Sequence, residues 1–528
     1  MLHPHSSSSS THKFINFDEL NRRAQSAIST GDFSAAAFWF RRILEHKPRN
    51  AEVMASLGQA LCWQRRRKEG LYWLNKSADI LCRKNPRKLV PLQHLLGLSG
   101  LLQHWGEIES ALKLAKLAIR NHPTSAEAHF NVARCLARIN KVKDAINPAV
   151  TASKLLPDEP SCELILAHLE MELGDLDSSL ARLTRITQGT AINEHTSRAW
   201  LESGVVLDKM ERYAESYQAF SRSAELNRTL PATGRVDKNS IFNTLSVNLA
   251  GFTPSLLRKW EGYFSEDELD DPVFLMGFLR SGTTLTEKVL ATHPMIVESD
   301  ENEFIFEVSR ELSRLTGIEN NTPAALERID IDQACFLRNF YWTRVMEEFG
   351  DQVTGKVFID KLSLNSIDIG LIATLFPDSK IIFALRDPRD VLISCFQQPF
   401  NITPATVNLL SLDGICQQYT AVMDLWLSVR PNLAPKYIEL KYEDSINFFS
   451  ATFTKLFEFL NLEWRDDSMR FHEHVNGRYV STPSFTSVSK PLYRSSLQRW
   501  KNYQPYMHES FYKLRKYLDI FNYSASQI

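Results

Sequence analysis

Two hydrophobic rhythms divide this 528-residue chain. From about residue 15 to 230, apolar side chains recur at offsets of four and eight among helix-forming residues. That spacing predicts helices with one apolar face. Beyond residue 270 the rhythm changes to short apolar runs separated by helical stretches, the pattern of a parallel sheet with crossover helices. The two halves therefore predict an all-α domain followed by an α/β domain.

The helical half repeats. Small residues recur at Ala36, Gly70, Ala111, Ala145, Ser179 and Ser216, spaced 34, 41, 34, 34 and 37 residues apart. Apolar or aromatic residues stand three positions earlier at Phe33, Ile108, Val142, Leu176 and Tyr213, and Pro48, Pro123 and Pro157 stand twelve later. A small side chain lets the second helix of a pair approach the first, and proline stops the helix before the next unit. Leu57-Gly58-Gln-Ala60, Val132-Ala133 and Ser203-Gly204 supply the matching surface on first helices. The series resembles tetratricopeptide repeats, about six of them over residues 15–230. Such arrays form a solenoid whose groove binds an extended peptide or packs on a neighbouring domain. Residues 231–270 lose the period and read as a connector, with the acidic run Ser265–Asp271 as a solvated loop.

In the second half the apolar runs are Val273–Met276, Lys356–Ile359, Lys380–Leu385 and Tyr437–Tyr442. Ligands of parallel sheets sit beyond the carboxyl ends of the strands, so the residues that follow each run carry the chemistry. After the first comes Gly277-Phe-Leu-Arg280-Ser-Gly-Thr-Thr284, a loop and helix start. First-turn N–H groups, the helix dipole and the close approach allowed by Gly282 make an anion site, with further donors on Arg280, Ser281, Thr283 and Thr284. The Gly-Lys-Ser/Thr ending of a nucleotide triphosphatase loop is absent, so this loop grips its anion differently. The second run ends in Asp360-Lys361, which sets an ammonium beside the loop. The third delivers Arg386-Asp-Pro-Arg389-Asp390 and a helix predicted to begin near Val391, with Ser394 on its first turn. That is a second anion site, to which Arg386 offers bidentate geometry, unless Arg386-Asp-Pro-Arg389 is a salt-bridged turn. The fourth ends at Tyr442, whose ring either stacks on a base or fills core. Two anion sites on neighbouring strand ends fit a nucleoside phosphorylated at both ends.

These residues resemble the sulfotransferase superfamily, which uses 3′-phosphoadenosine 5′-phosphosulfate and is built on a P-loop-like α/β fold. Gly277–Thr284 resembles its 5′-phosphosulfate loop, and Ala384 through Ser394 its 3′-phosphate motif. The likeness is closer to the branch that includes tyrosylprotein sulfotransferases and bacterial proteins with tetratricopeptide repeats fused ahead of the transferase. The shared elements are Arg280-Ser-Gly-Thr-Thr-Leu285, Ala291-Thr-His-Pro294 and an acidic residue, then Lys490-Pro-Leu-Tyr493-Arg-Ser-Ser496 through Arg499-Trp500. The resemblance covers residues 271–503, within a transferase domain read as 271–528. It implies that Arg280, Ser281, Gly282, Thr283 and Thr284 hold the 5′-phosphosulfate, and that Arg386, Ser394 and Lys490 hold the 3′-phosphate. Tyr442 would lie near the adenine and Lys361 beside the bridging oxygen. Glu301, seven residues beyond Pro294, would be the general base, with Arg280 and Lys361 completing the catalytic set. The neighbourhood departs from the family: Glu298-Ser-Asp300-Glu301-Asn-Glu303 stands where bacterial relatives show Gly-Glu-Leu-Pro. Crowded carboxylates raise one another's pKa, and Glu303 is the alternative base.

Composition narrows the rest. A formal net charge of −1 gives no global field for nucleic acid or an anionic membrane, so neither is an expected partner. Seven cysteines without Cys-x-x-Cys spacing suggest neither a zinc site nor a disulfide framework, and no metal is expected where arginine and lysine meet the charge. The first 14 residues, rich in serine, lack the apolar core of a signal peptide and read as disordered. No run of about 18 apolar residues occurs. The expectation is a cytoplasmic enzyme whose repeats position a hydroxyl-bearing acceptor, such as a peptide in the groove, or mediate self-association as a homodimer. The acceptor hydroxyl belongs to a protein tyrosine, a carbohydrate or a small molecule. Two rivals are an ATP-dependent kinase, which predicts the missing lysine, and a binding-only relic of the transferase fold.

Overall fold

The computed structural model describes residues 16–83, 89–189, 191–264, 271–433, 436–475 and 494–523. They form two compact units, Met1–Cys135 and Leu136–Ile528. The first unit is helical, with three pairs: Phe17–Ser29 and Phe33–His46, Ala51–Trp63 and Arg67–Arg83, Leu92–His104 and Ile108–Asn121. Each second helix begins three residues before a small position, so Ala36, Gly70 and Ala111 are each its fourth residue. All three are buried. A Cβ on Gly70 would stand 2.4 Å from Cys62 Sγ and 2.7 Å from the Gly58 carbonyl oxygen, while one on Gly58 would stand 2.7 Å from the Gly70 carbonyl oxygen. The two backbones touch because both residues are glycine. Asn16, Asp32 and Asn50 cap their helices by accepting from first-turn amides.

The second unit continues the pairing through Val142–Leu155, Pro160–Leu173, Leu176–Thr187, Glu194–Lys209 and Tyr213–Thr229. Ala145, Ser179 and Ser216 again stand fourth in the second helix of their pairs and are fully buried. The serines stay paired there: Ser179 Oγ donates to Ala167 O at 2.7 Å, and Ser216 Oγ to Gly204 O at 2.8 Å. A hydroxyl is tolerated at a helix contact when the facing backbone accepts its proton.

The span read as a connector is largely structured. Helix Ser240–Gly251 places Ile241 and Leu245 in the core of the α/β region, and Phe252, Leu256, Leu257, Trp260 and Phe264 join them. Loss of the repeat period marked a change of architecture rather than exposure. Asp271, at the end of the acidic run, is buried against Arg338 at 2.8 Å; Ser265 to Asp270 lie outside the described residues.

The sheet has five parallel strands, β1 (Val273–Gly277), β2 (Ile296–Glu298), β3 (Val357–Lys361), β4 (Ile381–Leu385) and β5 (Tyr437–Lys441), in the order β2-β3-β1-β4-β5. Four of them match the apolar runs. The three-residue β2 at the edge escapes notice because Ile296-Val-Glu298 is too short for a periodic signal. Alternate residues of β1 enter two cores: Phe274 and Met276 pack with Tyr341, Phe376 and Trp426, whereas Val273 and Leu275 pack with Leu285, Val289 and Phe453. Both faces are covered, which is why the strands read as continuous apolar runs. Among the described residues no helix is long and apolar enough to cross a membrane.

Gly70→Ala is expected to lower the stability of the full chain by about 1–3 kcal/mol, since backbone atoms of Gly58 and Cys62 block the new methyl. Urea denaturation measures it; an unchanged midpoint would mean that the helix pair opens without strain.

Candidate active site

The site begins where β1 ends. The parallel register sets Gly277 beside Ala384 of β4, and a Cβ at Gly277 would lie 2.4 Å from the Ala384 carbonyl oxygen. Only glycine lets the two strand ends run this close. The chain then turns through Arg280 (φ 68°) and Gly282 (φ 101°), both left-handed, into helix Thr283–Leu290. Gly282 also abuts the Tyr442 ring, whose Cδ2 would stand 2.7 Å from an added Cβ. The first turn thus presents Thr283 and Thr284 amides at the positive end of the helix. Ser281, Thr283 and Thr284 are buried, and Thr283 Oγ1 lies 3.0 Å from Ser363 Oγ beyond β3.

The second anion motif meets the first. Arg280 Nε donates to Ser394 Oγ at 3.0 Å, and Arg386 Nη1 donates to the Arg280 carbonyl oxygen at 3.2 Å. The Arg386 guanidinium lies 4.8 Å from the Tyr442 ring centroid, and Tyr442 Oη is 2.9 Å from Ser496 Oγ. Arg280, Gly282, Arg386, Ser394 and Tyr442 therefore form one contact cluster. Tyr442 serves as a wall for both the loop and Arg386. Arg386 Nε has no hydrogen-bond partner among the described residues although it is buried. Lys490 lies outside the described residues, as do Pro491 to Tyr493.

One expectation needs correction. The helix after β4 begins at Pro388 and runs to Phe396, so Ser394 is its seventh residue and stands on the second turn. Proline at the first helical position fits a helix start because its missing N–H is not needed there. Asp387 caps this helix by accepting from Arg389 N–H at 2.9 Å and pairs with the Arg389 guanidinium at 2.7 Å. The salt-bridged turn thus exists, and it engages Arg389 while Arg386 faces the loop.

At the end of β3, Lys361 is fully buried. Its Nζ lies 2.7 Å from Glu301 Oε1 and 3.2 Å from Glu287 Oε2. Glu301 reaches it because Asp300 (φ 48°) and Glu301 (φ 63°) are successive left-handed residues, a conformation that costs about 1 kcal/mol or more at each. The turn is pinned beneath by Ser299, whose N–H donates to Ile359 O at 3.0 Å and whose Oγ accepts from Lys361 N–H at 2.8 Å. Burial alone would lower the pKa of Lys361, but the carboxylates of Glu287, Glu301 and Asp300 outweigh it and hold the ammonium charged. Glu303, by contrast, is exposed at the start of helix Phe304–Thr316.

Sequence reasoning missed what lies behind Lys361. Glu287, Glu298 and Asp300 bring carboxylate oxygens within 4.8 Å of one another, with Lys288 Nζ 3.0 Å from Glu298 and 3.6 Å from Glu287. Lys288 and Lys361 supply the countercharge. Burial pushes Glu287 up to about 7 against the pull of Lys361, with Glu298 adding to the rise; burial also raises Asp300. The available signal was Glu287 one helical turn beyond Thr284. His293, at the end of the same segment, accepts from Met295 N–H through Nδ1 at 3.2 Å and packs against Phe457, a structural role.

Residues 272–466 match the family model described as the sulfotransferase family, and residues 106–160 match a tetratricopeptide repeat model. An uncharacterized protein of Aquifex aeolicus (strain VF5) is 26% identical over 366 residues, covering 67% of this chain and 46% of the relative. Protein-tyrosine sulfotransferase A of Caenorhabditis elegans is 23% identical over 237 residues, covering 43% of this chain and 60% of the relative. The chain thus spans about half to three-fifths of the length of these relatives. Among solved structures, the sulfotransferase domain of the Synechococcus PCC 7002 olefin synthase has a TM-score of 0.31 at 17% identity, covering 45% of this chain and 90% of that one.

The Glu287 proton generates a stability prediction. Its folded pKa of about 7 exceeds the ordinary 4.5, so the folded state keeps a proton that the unfolded chain loses as pH rises through that window. Stability from this group is present below about pH 4.5 and lost as pH approaches 7. Glu287→Gln cannot lose that proton. Relative to wild type its unfolding free energy is expected to rise by on the order of 1–3 kcal/mol between pH 4.5 and 7.5, measured by urea denaturation at both ends. Parallel pH profiles for the two proteins would contradict the assignment.

Proposed function

Because this chain joins tetratricopeptide repeats to a sulfotransferase-family domain, we propose that it moves a sulfuryl group from 3′-phosphoadenosine 5′-phosphosulfate to an acceptor hydroxyl, with Glu301 as general base. The observation that carries this reading is the Lys361–Glu301 contact of 2.7 Å at the end of β3, the strand paired with β1, whose carboxyl end opens into the anion loop. An ammonium for the leaving oxygen and a base for the acceptor reach the same strand end, the two charges that a transfer between oxygens calls on.

The residues present fit such a donor. The loop Gly277–Thr284 offers Arg280, buried hydroxyls and a helix start to one anion, while Arg386 and Ser394 converge from the neighbouring strand end for a second. Arg386 Nε, buried and without a hydrogen-bond partner among the described residues, leaves a donor for an anion at this second position. The donor supplies the activated sulfuryl group; everything else is the task of the chain. Glu301 takes the proton of the acceptor hydroxyl. Lys361 orients Glu301 and, with Arg280, neutralises charge developing on the leaving oxygen. The buried walls around Lys361 strengthen each of these interactions. The acceptor is a hydroxyl of a protein, a carbohydrate or a small molecule, and the repeats are the surface on which an acceptor or partner protein would be selected.

Substitution separates the roles. Arg280→Ala is expected to weaken adenosine 3′,5′-bisphosphate binding and to reduce turnover with labelled donor by about 10²–10³. Glu301→Gln is expected to bind that nucleotide as wild type does and to lose about 10²–10⁴ in rate, while Glu303→Gln stays near wild type. Should the rate loss fall on Glu303→Gln instead, the base is Glu303.

A further inference from the structure

The last helix pair is tied to the second anion motif by one short stretch of chain. Residues Ser496 to Tyr506 run as a strap that ends in the 3₁₀ helix Arg499–Tyr506. At its beginning the strap is bound to the site. Arg386 Nη2 donates to the Ser496 carbonyl oxygen at 2.7 Å, and Ser496 Oγ lies 2.9 Å from Tyr442 Oη. The buried carboxylate of Asp390, on the helix that follows β4, accepts from Gln498 N–H at 2.8 Å and from Trp500 N–H at 2.9 Å. The Arg389 guanidinium covers the Trp500 ring at 3.8 Å. Gln498 takes a left-handed conformation (φ 59°), so the turn is held by these partners against its own preference.

At its other end the strap is bound to the repeats. Asp208, near the end of helix Glu194–Lys209, pairs with Arg499 and accepts from Tyr503 Oη at 2.5 Å. Tyr503 Oη also lies 3.0 Å from Ser216 Oγ, the buried small position of that helix pair. Tyr506 stacks on Tyr217 with ring centroids 5.0 Å apart. Trp500 and Tyr503 are almost wholly buried, so the strap is clamped rather than draped.

We propose that Asp208 is a positioning residue for the donor site: through Arg499 and Tyr503 it fixes the strap that orients Arg386, and so makes the last helix pair of the repeats part of the 3′-phosphate pocket. The proposal rests on the reading of Arg386 and Ser394 as the 3′-phosphate site. Removing the charge on Asp208 weakens its hold on the Arg499 guanidinium and on the Tyr503 hydroxyl, loosens the strap, and with it the Ser496 carbonyl that holds one edge of the Arg386 guanidinium. The path from Asp208 enters the site at Arg386, the residue read as facing the 3′-phosphate, so a nucleotide lacking that phosphate is expected to feel the change least.

The test is calorimetric binding of two probes, adenosine 3′,5′-bisphosphate and adenosine 5′-monophosphate, to the full chain. Wild type is expected to prefer the bisphosphate. Asp208→Asn, which keeps the shape, is expected to lose on the order of 5- to 10-fold in bisphosphate affinity and less than about twofold for the monophosphate. In an Arg386→Ala background the same change is expected to have no further effect on bisphosphate affinity, because the coupling runs through that guanidinium. If Asp208→Asn does not fold, Tyr503→Phe removes one partner of Asp208 and reads the same ratio. A wild type without preference for the bisphosphate overturns the 3′-phosphate reading and the proposal with it. A wild-type preference that survives unchanged in the variants, or an equal loss for both probes, overturns the proposal alone.

Discussion

The parallel pairing of β1 between β3 and β4 is the constraint on which the site depends. All strands of a parallel sheet leave it on the same side, so the Gly277–Thr284 loop, Lys361 and Arg386 emerge next to one another without any side chain having to reach. The chain passes from β1 to β2 and β3 on one flank and to β4 and β5 on the other, so the strand order reverses at β1, the place where open parallel sheets hold their ligands. Gly277 sets how closely the β1 and β4 ends approach, since a side chain there would strike the Ala384 carbonyl.

Beside these strand ends lies a buried network of charge. Glu287, Glu298, Asp300 and Glu301 face Lys288 and Lys361, with the ammonium of Lys361 withdrawn entirely from solvent. Desolvating ions in this way contributes little to stability, and a well-packed apolar cluster would do at least as well. The left-handed pair Asp300–Glu301 adds a local strain, and the turn is retained because Ser299 and Lys361 over-determine it. Strain and buried charge both converge on the contact between a carboxylate and an ammonium at a strand end.

The repeats use the same economy of positions. A small residue at the fourth place of each second helix brings two backbones together, and in the last pair that residue, Ser216, additionally meets Tyr503 from the α/β region. The Leu136–Ile528 unit therefore contains repeat helices and sheet as parts of a single packed body. Fusion of the two architectures has a physical content here: hydrogen bonds and an ion pair run from Asp208 through the strap to Asp390 and Arg386.

Much of this was legible in the linear pattern. The period near 34 located the helix pairs to the residue, because one small position per unit is a steric necessity that composition cannot disguise. Four apolar runs and their polar successors placed Arg280, Lys361, Arg386 and Tyr442 at neighbouring strand ends, because strand length and parallel topology leave few alternatives. The start of the helix after β4 was misplaced by three residues, since Pro388 was read as part of a turn rather than as a first helical residue. The pairing of Lys361 with Glu287 was invisible: Glu287 lies in a helix whose burial on all sides is decided by the sheet beneath it, and nothing local distinguishes a buried carboxylate from a solvated one. Nor did the spacing between Asp208 and Arg499, 291 residues apart, announce a contact. The sequence by itself determined periodicity, strand ends and the chemical types at each, because these follow from local geometry. Only the tertiary structure decided which charges meet, because desolvation and ion pairing depend on what the rest of the chain brings alongside.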